Sequence, residues 1–212
     1  MYPKVLRSSY RLTHRRFDRC STTTLLIQMH SVNRLRISRR ETITASILGV
    51  VGGLIASFAE RADAIVTGGN ATPLGFINTY TWLLVSACLF GPTGAIITTE
   101  VQAFLGLVTA ANPLSWLWPI INFVFALVVG FLSIGIAKSR PTMKIHTRLI
   151  LLSGTCAILD VPLTYLVIVM VLGLPFIFFL IALPIYITLQ IVPSTIISYI
   201  LLRAILRSGL VG

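Results

Sequence analysis

Residues 118–137 read WPIINFVFALVVGFLSIGIA, twenty residues without a charge. Wound as an α-helix at about 1.5 Å per residue, the run reaches roughly 30 Å, the thickness of a bilayer's hydrocarbon core. One such run in a small soluble fold would need burial on every side. Here it has company along most of the chain. The 212 residues are 56% hydrophobic and only 11% charged, with a mean hydropathy of +0.91. That charge fraction is about half that of a typical soluble domain. Lipid must therefore be the solvent for much of the surface.

Working outward from that run, breakers divide the rest. Before it, Asn112-Pro113 opens the span, and Gly91-Pro92 turns the chain between a second span (about Asn78 to Phe90) and a third (about Thr93 to Ala110). A first span covers about Thr42 to Ala59, followed by a Gly/Asn/Pro-broken loop, ERADAIVTGGNATPLGFI, over 60–77. After it, KSRPTMKIHTR (138–148) is a basic connector. A fifth span runs from about Leu149 to Gly173, Pro175 breaks it, and a sixth runs to about Leu202. The sequence predicts an all-α polytopic membrane protein, a compact bundle of about six transmembrane helices. It divides into a basic tail over 1–40, a membrane domain over 41–205 and a short cytoplasmic C-terminus over 206–212.

Charge orients this bundle. Ten of the 17 basic residues lie in 1–40 with one acid, Asp18, for a balance of +9; the other 172 residues carry seven bases and five acids, only +2. With the N-terminus cytoplasmic, six crossings place the 138–148 connector and the C-terminus, with Arg203 and Arg207, on the same side, as the positive-inside rule requires. The 60–77 loop, with Arg61 against Glu60 and Asp63, falls outside. A cell-membrane protein with both termini cytoplasmic is expected. The tail is too polar to fold alone. It reads as a disordered tail touching anionic lipid, a transit peptide, or the product of a start codon upstream of Met29, with the first and last favoured. Ser38-Arg39-Arg40 ahead of an apolar stretch also imitates a twin-arginine export signal, but such signals serve soluble cargo.

Several function classes drop out. No nucleic-acid recognition motif accompanies the basic tail. Cys20, Cys88 and Cys156 lack metal-site or disulfide spacing, and His14, His30 and His146 stand far from any carboxylate pair. No nucleotide-binding, zinc-protease or nucleophile-elbow pattern is present. No metal, cofactor or enzymatic activity is expected.

What remains is polar chemistry inside the bundle. In the first span Ala45, Gly49, Gly52, Gly53 and Ala56 recur at spacings of three and four, a face that lets another backbone approach closely, either within the bundle or on a partner. Two acids lie deep in apolar runs. Glu100 is about nine residues, roughly 14 Å, from Gly91, and Asp160 about twelve residues, roughly 18 Å, from Arg148. Carboxylates at that depth are costly, so a shared polar hollow is expected. Ser115, Trp118 and Asn122 align on span four, and Ser153, Cys156, Asp160 and Thr164 on span five. Tyr186, Gln190 and Ser194 align on span six, and Tyr80 and Trp82 sit near the outer end of span two. Trp116 reads as an interfacial anchor. Gln102 lies about 200° around its helix from Glu100, so the two cannot face one cavity. Pro119, Pro162, Pro184 and Pro193 are candidates for broken helices or for packing kinks.

The stretch Phe90-Gly91-Pro92-Thr93-Gly94-Ala95, continuing through 96–106 to ANPLSWLWPIINFVFALVVG, resembles the substrate-binding S component of energy-coupling-factor (ECF) vitamin transporters, over about residues 41–205. The first helix departs from that family's A-x-x-x-A motif, showing Ala45-xxx-Gly49-xxx-Gly53 and Gly52-xxx-Ala56. The resemblance implies a six-helix carrier for a vitamin or related molecule, with a transmembrane coupling subunit docking on the small-residue face and ATPase subunits on separate chains. It implies a pocket in the outer half, covered by the 60–77 loop, and by position Trp82, Glu100, Trp118, Asn122, Asp160 and Tyr186 as substrate contacts. Aromatic faces would sandwich a flat ring while the two acids favour a cationic or donor-rich ligand. Two alternatives stand beside it: a membrane scaffold or enzyme whose acids are structural, and an autonomous proton-coupled carrier.

Overall fold

The computed structural model describes residues 37–67, 72–109 and 115–208, and all regular structure among them is helical. Five helices are long and apolar enough to cross a membrane. The expected tail over 1–36, the Met29 alternative and residues 209–212 lie outside the described residues.

Helix α1 (Arg39–Thr67) starts where a capping box dictates. The Ser38 backbone N–H donates to Glu41 Oε2 at 2.6 Å and the Glu41 N–H to Ser38 Oγ at 3.2 Å, satisfying two donors that the first turn leaves open. The helix runs eight residues beyond Ala59, the expected end of the first span. Glu60, Arg61 and Asp63 are helical, because no glycine or proline interrupts the chain before Gly68. The expected 60–77 loop shrinks accordingly, and α2 begins at Pro73, the second span drawing in the residues before Asn78.

Helix α2 (Pro73–Thr109) is nominally continuous but breaks at Gly91, whose φ of 68° and ψ of −155° only glycine adopts readily. The break is a reversal. Gln102 Nε2 donates to Thr79 Oγ1 at 2.9 Å, whereas in a straight helix those residues would stand about 35 Å apart. The two limbs, 73–90 and 92–109, lie antiparallel as the Gly91-Pro92 signal predicts, so the five helices contribute six limbs. A short 3₁₀ turn, Ser115–Leu117, leads into α3 (Trp118–Ser139), where Pro119 sits in the first turn and breaks nothing. Helix α4 (Ile145–Tyr165) passes into a π turn over Leu166–Val171, which closes at Gly173 with φ 64°. Pro162 precedes this widening by one turn. Helix α5 (Phe176–Ser208) carries Pro184 and Pro193 within an unbroken run.

The first limb of α2 is the axis of the bundle. Leu83, Leu84, Val85, Ala87 and Phe90 are all buried, and α2 touches every other helix. Around it the packing is turned out for lipid: α1 exposes Ile43, Ile47, Val50, Leu54 and Phe58 while burying its small residues. Short polar ties hold the limbs. Thr98 Oγ1 donates to the Ala45 carbonyl (3.0 Å), Asn78 Nδ2 to the Gly52 carbonyl (2.8 Å) and Ser198 Oγ to the Thr81 carbonyl (3.1 Å). At the Gly91 end, Ser133 Oγ donates to the Ala87 carbonyl and accepts from Arg148, which is 2% exposed. Arg148, expected as a connector charge, is therefore an interior donor.

Candidate functional site

A cavity opens at the end of the bundle opposite the Gly91 turn, the Lys138–Lys144 connector and Arg203. Its volume is about 410 Å³ when the open space at its mouth is included. Four helical segments build it by one rule, residues three and four apart sharing a face. Ala56 and Glu60 come from α1; Gly75, Phe76 and Thr79 from the first limb; Gln102, Ala103 and Gly106 from the second; Trp118 and Asn122 from the first turns of α3. The space exists because four of these residues are Gly or Ala. Gly75 is the tightest: a Cβ there would lie 2.9 Å from Glu60 Cγ.

The polar lining is incomplete. Gln102 donates to Thr79, and Asn122 Nδ2 reaches the Thr99 carbonyl at 3.3 Å. Glu60 Oε2, Gln102 Oε1 and Trp118 Nε1 are buried and accept or donate no hydrogen bond among the described residues. Buried polar atoms are nearly always paired, and leaving one unpaired costs about 1–3 kcal/mol. Three in one cavity mark it as a place for something else. Phe76 meets the Trp118 ring edge-on at a centroid distance of 5.2 Å and leans on Tyr80 at 5.9 Å, and Tyr80 stacks on Phe125.

Of the six expected contacts, the structure brings Trp118 and Asn122 together here. Trp82 turns to α1 instead: its indole lies over Gly52 and its N–H donates to Asn78 Oδ1 at 3.0 Å. Asp160 is buried against the first limb, Oδ1 accepting from Tyr80 OH at 2.8 Å, with Oδ2 unpartnered among the described residues. Tyr186, half-buried on α5, lies within electrostatic reach of Asp160 and Asp63. Glu100 shares its helix face with Phe104, which is 65% exposed, and does not line the cavity. The shared hollow expected for Glu100 and Asp160 is thus replaced by two separate settings, because limb 92–109 turns its Gln102 face inward, and Gln102 and Glu100 cannot face the same way.

The small-residue stripe is filled from within the chain. Thr98 bonds Ala45. A Cβ on Gly49 would meet the Thr98 carbonyl and Val101, one on Gly52 the indole of Trp82, and one on Gly53 Leu105. Ala56 lines the cavity. Ala45, Gly49, Gly52, Gly53 and Ala56 form the seam between α1 and α2, which leaves no room on that face for a docking subunit.

Glu60, Gln102, Phe76 and Thr79 were not among the expected contacts. Glu60 had a signal: it continues the stripe at the same spacing, Gly49, Gly53, Ala56, Glu60, Asp63, with no breaker between. Compared with protein-family models, curated proteins and solved structures, the chain matches none.

Proposed function

We propose that this protein is the substrate-capturing membrane subunit of an ECF-type importer. It takes a vitamin-like small molecule into the cavity between α1, α2 and α3 and passes it on through a coupling subunit and ATPases on separate chains. The observation that carries this reading is the convergence on one cavity of Glu60 Oε2, Gln102 Oε1 and Trp118 Nε1, all without a partner among the described residues. The cavity's position supports it. The basic clusters at Arg39-Arg40, 138–148 and 203–207 lie at the other end of the bundle, so with both termini cytoplasmic in a cell membrane the mouth faces outward. Among the described lining residues the polar groups are one carboxylate, amides, hydroxyls and an indole N–H, a set suited to holding a ligand by hydrogen bonds. With the stripe of α1 occupied, the coupling subunit docks elsewhere on the bundle.

The test is direct. Purified from its own host in mild detergent, the full chain should retain one small molecule, identified by mass spectrometry of the extract. Trp118→Leu and Gln102→Leu should lose it while remaining folded. Uptake of that molecule by cells should persist under a protonophore while ATP is maintained. Uptake abolished by the protonophore would instead establish a proton-coupled carrier. Folded protein that carries nothing and supports no uptake would leave a scaffold whose acids are structural.

A further inference from the structure

We infer that the cavity takes a ligand that brings a cationic, hydrogen-bond-donating group to Glu60 and Gln102 and an acceptor atom to the Trp118 N–H; the inference rests on the cavity being the substrate site. Among the described residues the unpartnered inventory of the cavity is unbalanced: two acceptor oxygens, one of them on a carboxylate, against one donor. A ligand that completes it must donate at two points and accept at one.

The charge balance points the same way. Among the described residues, no basic side chain lines the cavity. Asp63, one turn beyond Glu60 on the same face of α1, is 2% exposed, and its described hydrogen bond comes from a neutral donor, the Gly75 N–H at 3.0 Å. Two carboxylates therefore stand together at the end of a membrane bundle where the lining supplies no compensating charge. In such surroundings an unpaired charge costs several kcal/mol, and a cation of matching geometry cancels that cost. An anionic ligand would face Glu60 and the lone pairs of Gln102, with Asp63 buried one turn behind Glu60. A neutral amide would satisfy the hydrogen bonds and leave the charge uncompensated.

The walls define the rest. Phe76 and Trp118, locked edge to face, form an aromatic side, while Ala103 and Gly106 form a flat one. Trp118 meets a ligand there with an N–H that has no partner among the described residues, rather than as one of two stacking faces.

Benzamidinium, benzamide and benzoate share one ring and differ in charge; benzamidinium has no acceptor for Trp118, so its advantage reads the charge requirement at Glu60 and Gln102 alone. Binding is measured by isothermal titration on the full chain in lipid nanodiscs at neutral pH. Benzamidinium should bind about tenfold more tightly than benzamide, the difference between an ion pair with Glu60 and a hydrogen bond from a neutral donor, and benzoate should bind worst. Glu60→Gln should bring benzamidinium down to benzamide's level while benzamide, the folding control, stays within about threefold. Gln102→Glu should widen the cation's advantage. Benzoate binding as well as benzamidinium, or a cation preference surviving Glu60→Gln, overturns the ligand class and leaves the cavity as a binding site. None of the three binding more tightly than to Trp118→Leu overturns the site and the ligand class together.

Discussion

Gly49→Ala tests whether the glycine stripe of α1 is an internal seam or a docking face. A Cβ at that position would lie 2.7 Å from the Thr98 carbonyl oxygen and 2.8 Å from Val101 Cβ, where ordinary contact begins at 3.4 Å. The shortfall of 0.7 Å (3.4 − 2.7) is against backbone, which cannot rotate away as a side-chain tip can. Helix α1 must back off from limb 92–109, stretching the Thr98–Ala45 hydrogen bond one turn away. Overpacking of this kind costs about 1–3 kcal/mol, and the strained hydrogen bond adds up to about 1 kcal/mol. Alanine's better helix propensity returns about 1 kcal/mol. The net loss is about 0–3 kcal/mol, centred on about 1.5 kcal/mol. Gly154→Ala is the control. It lies exposed on α4 with nothing within 4 Å of the added carbon, so it should gain about 0.5–1 kcal/mol from propensity alone. Thermal unfolding in detergent can be followed by a thiol-reactive fluorophore in a Cys20→Ser background, because Cys88 and Cys156 are buried and free. Gly49→Ala should melt below the parent and Gly154→Ala at or above it. Equal melting of the two variants, with a loss seen only when a partner membrane protein is added, would refute the seam and return the stripe to docking.

Three further outcomes follow from the geometry. Tyr80→Phe removes the only described hydrogen bond to Asp160 and should destabilise the fold by about 1–3 kcal/mol; adding Asp160→Leu should recover part of that loss in the same melting assay. Glu100→Gln should leave equilibrium ligand binding unchanged, since Glu100 lies outside the cavity lining, whereas Gln102→Ala, which also strands Thr79, should weaken it by tenfold or so. Ser133→Ala cuts the link between Arg148 and the Ala87 carbonyl and should cost about 1–3 kcal/mol, read as faster labelling of Cys88 beside it.

Much of the bundle was legible from the chain alone, because lipid makes demands that are local. An uncharged run of twenty residues must be a helix in a bilayer, since its backbone groups have no other partners there. Gly91-Pro92 must be a turn, and the structure reverses the chain at Gly91. The spacing of Ala45, Gly49, Gly53 and Ala56 fixed a close-packing face whatever its partner. Which pieces meet across the bundle was not local. Glu60 looked like a loop flank because acids usually mark the end of a span. It became a cavity wall only because α1 continues to Thr67 and Gly75 leaves room beside it. Glu100 and Asp160 sat at matching depths on paper, yet depth along a helix says nothing of its rotation. That rotation is set by the seam, where Thr98, Val101 and Leu105 settle on the glycines of α1, turning Gln102 inward and Glu100 toward Phe104. The sequence determined that helices cross the membrane and where the chain turns, because hydrophobicity and backbone sterics act residue by residue. The tertiary structure alone decided which polar atoms are left facing one another, because that depends on how six limbs rotate to bury their smallest residues.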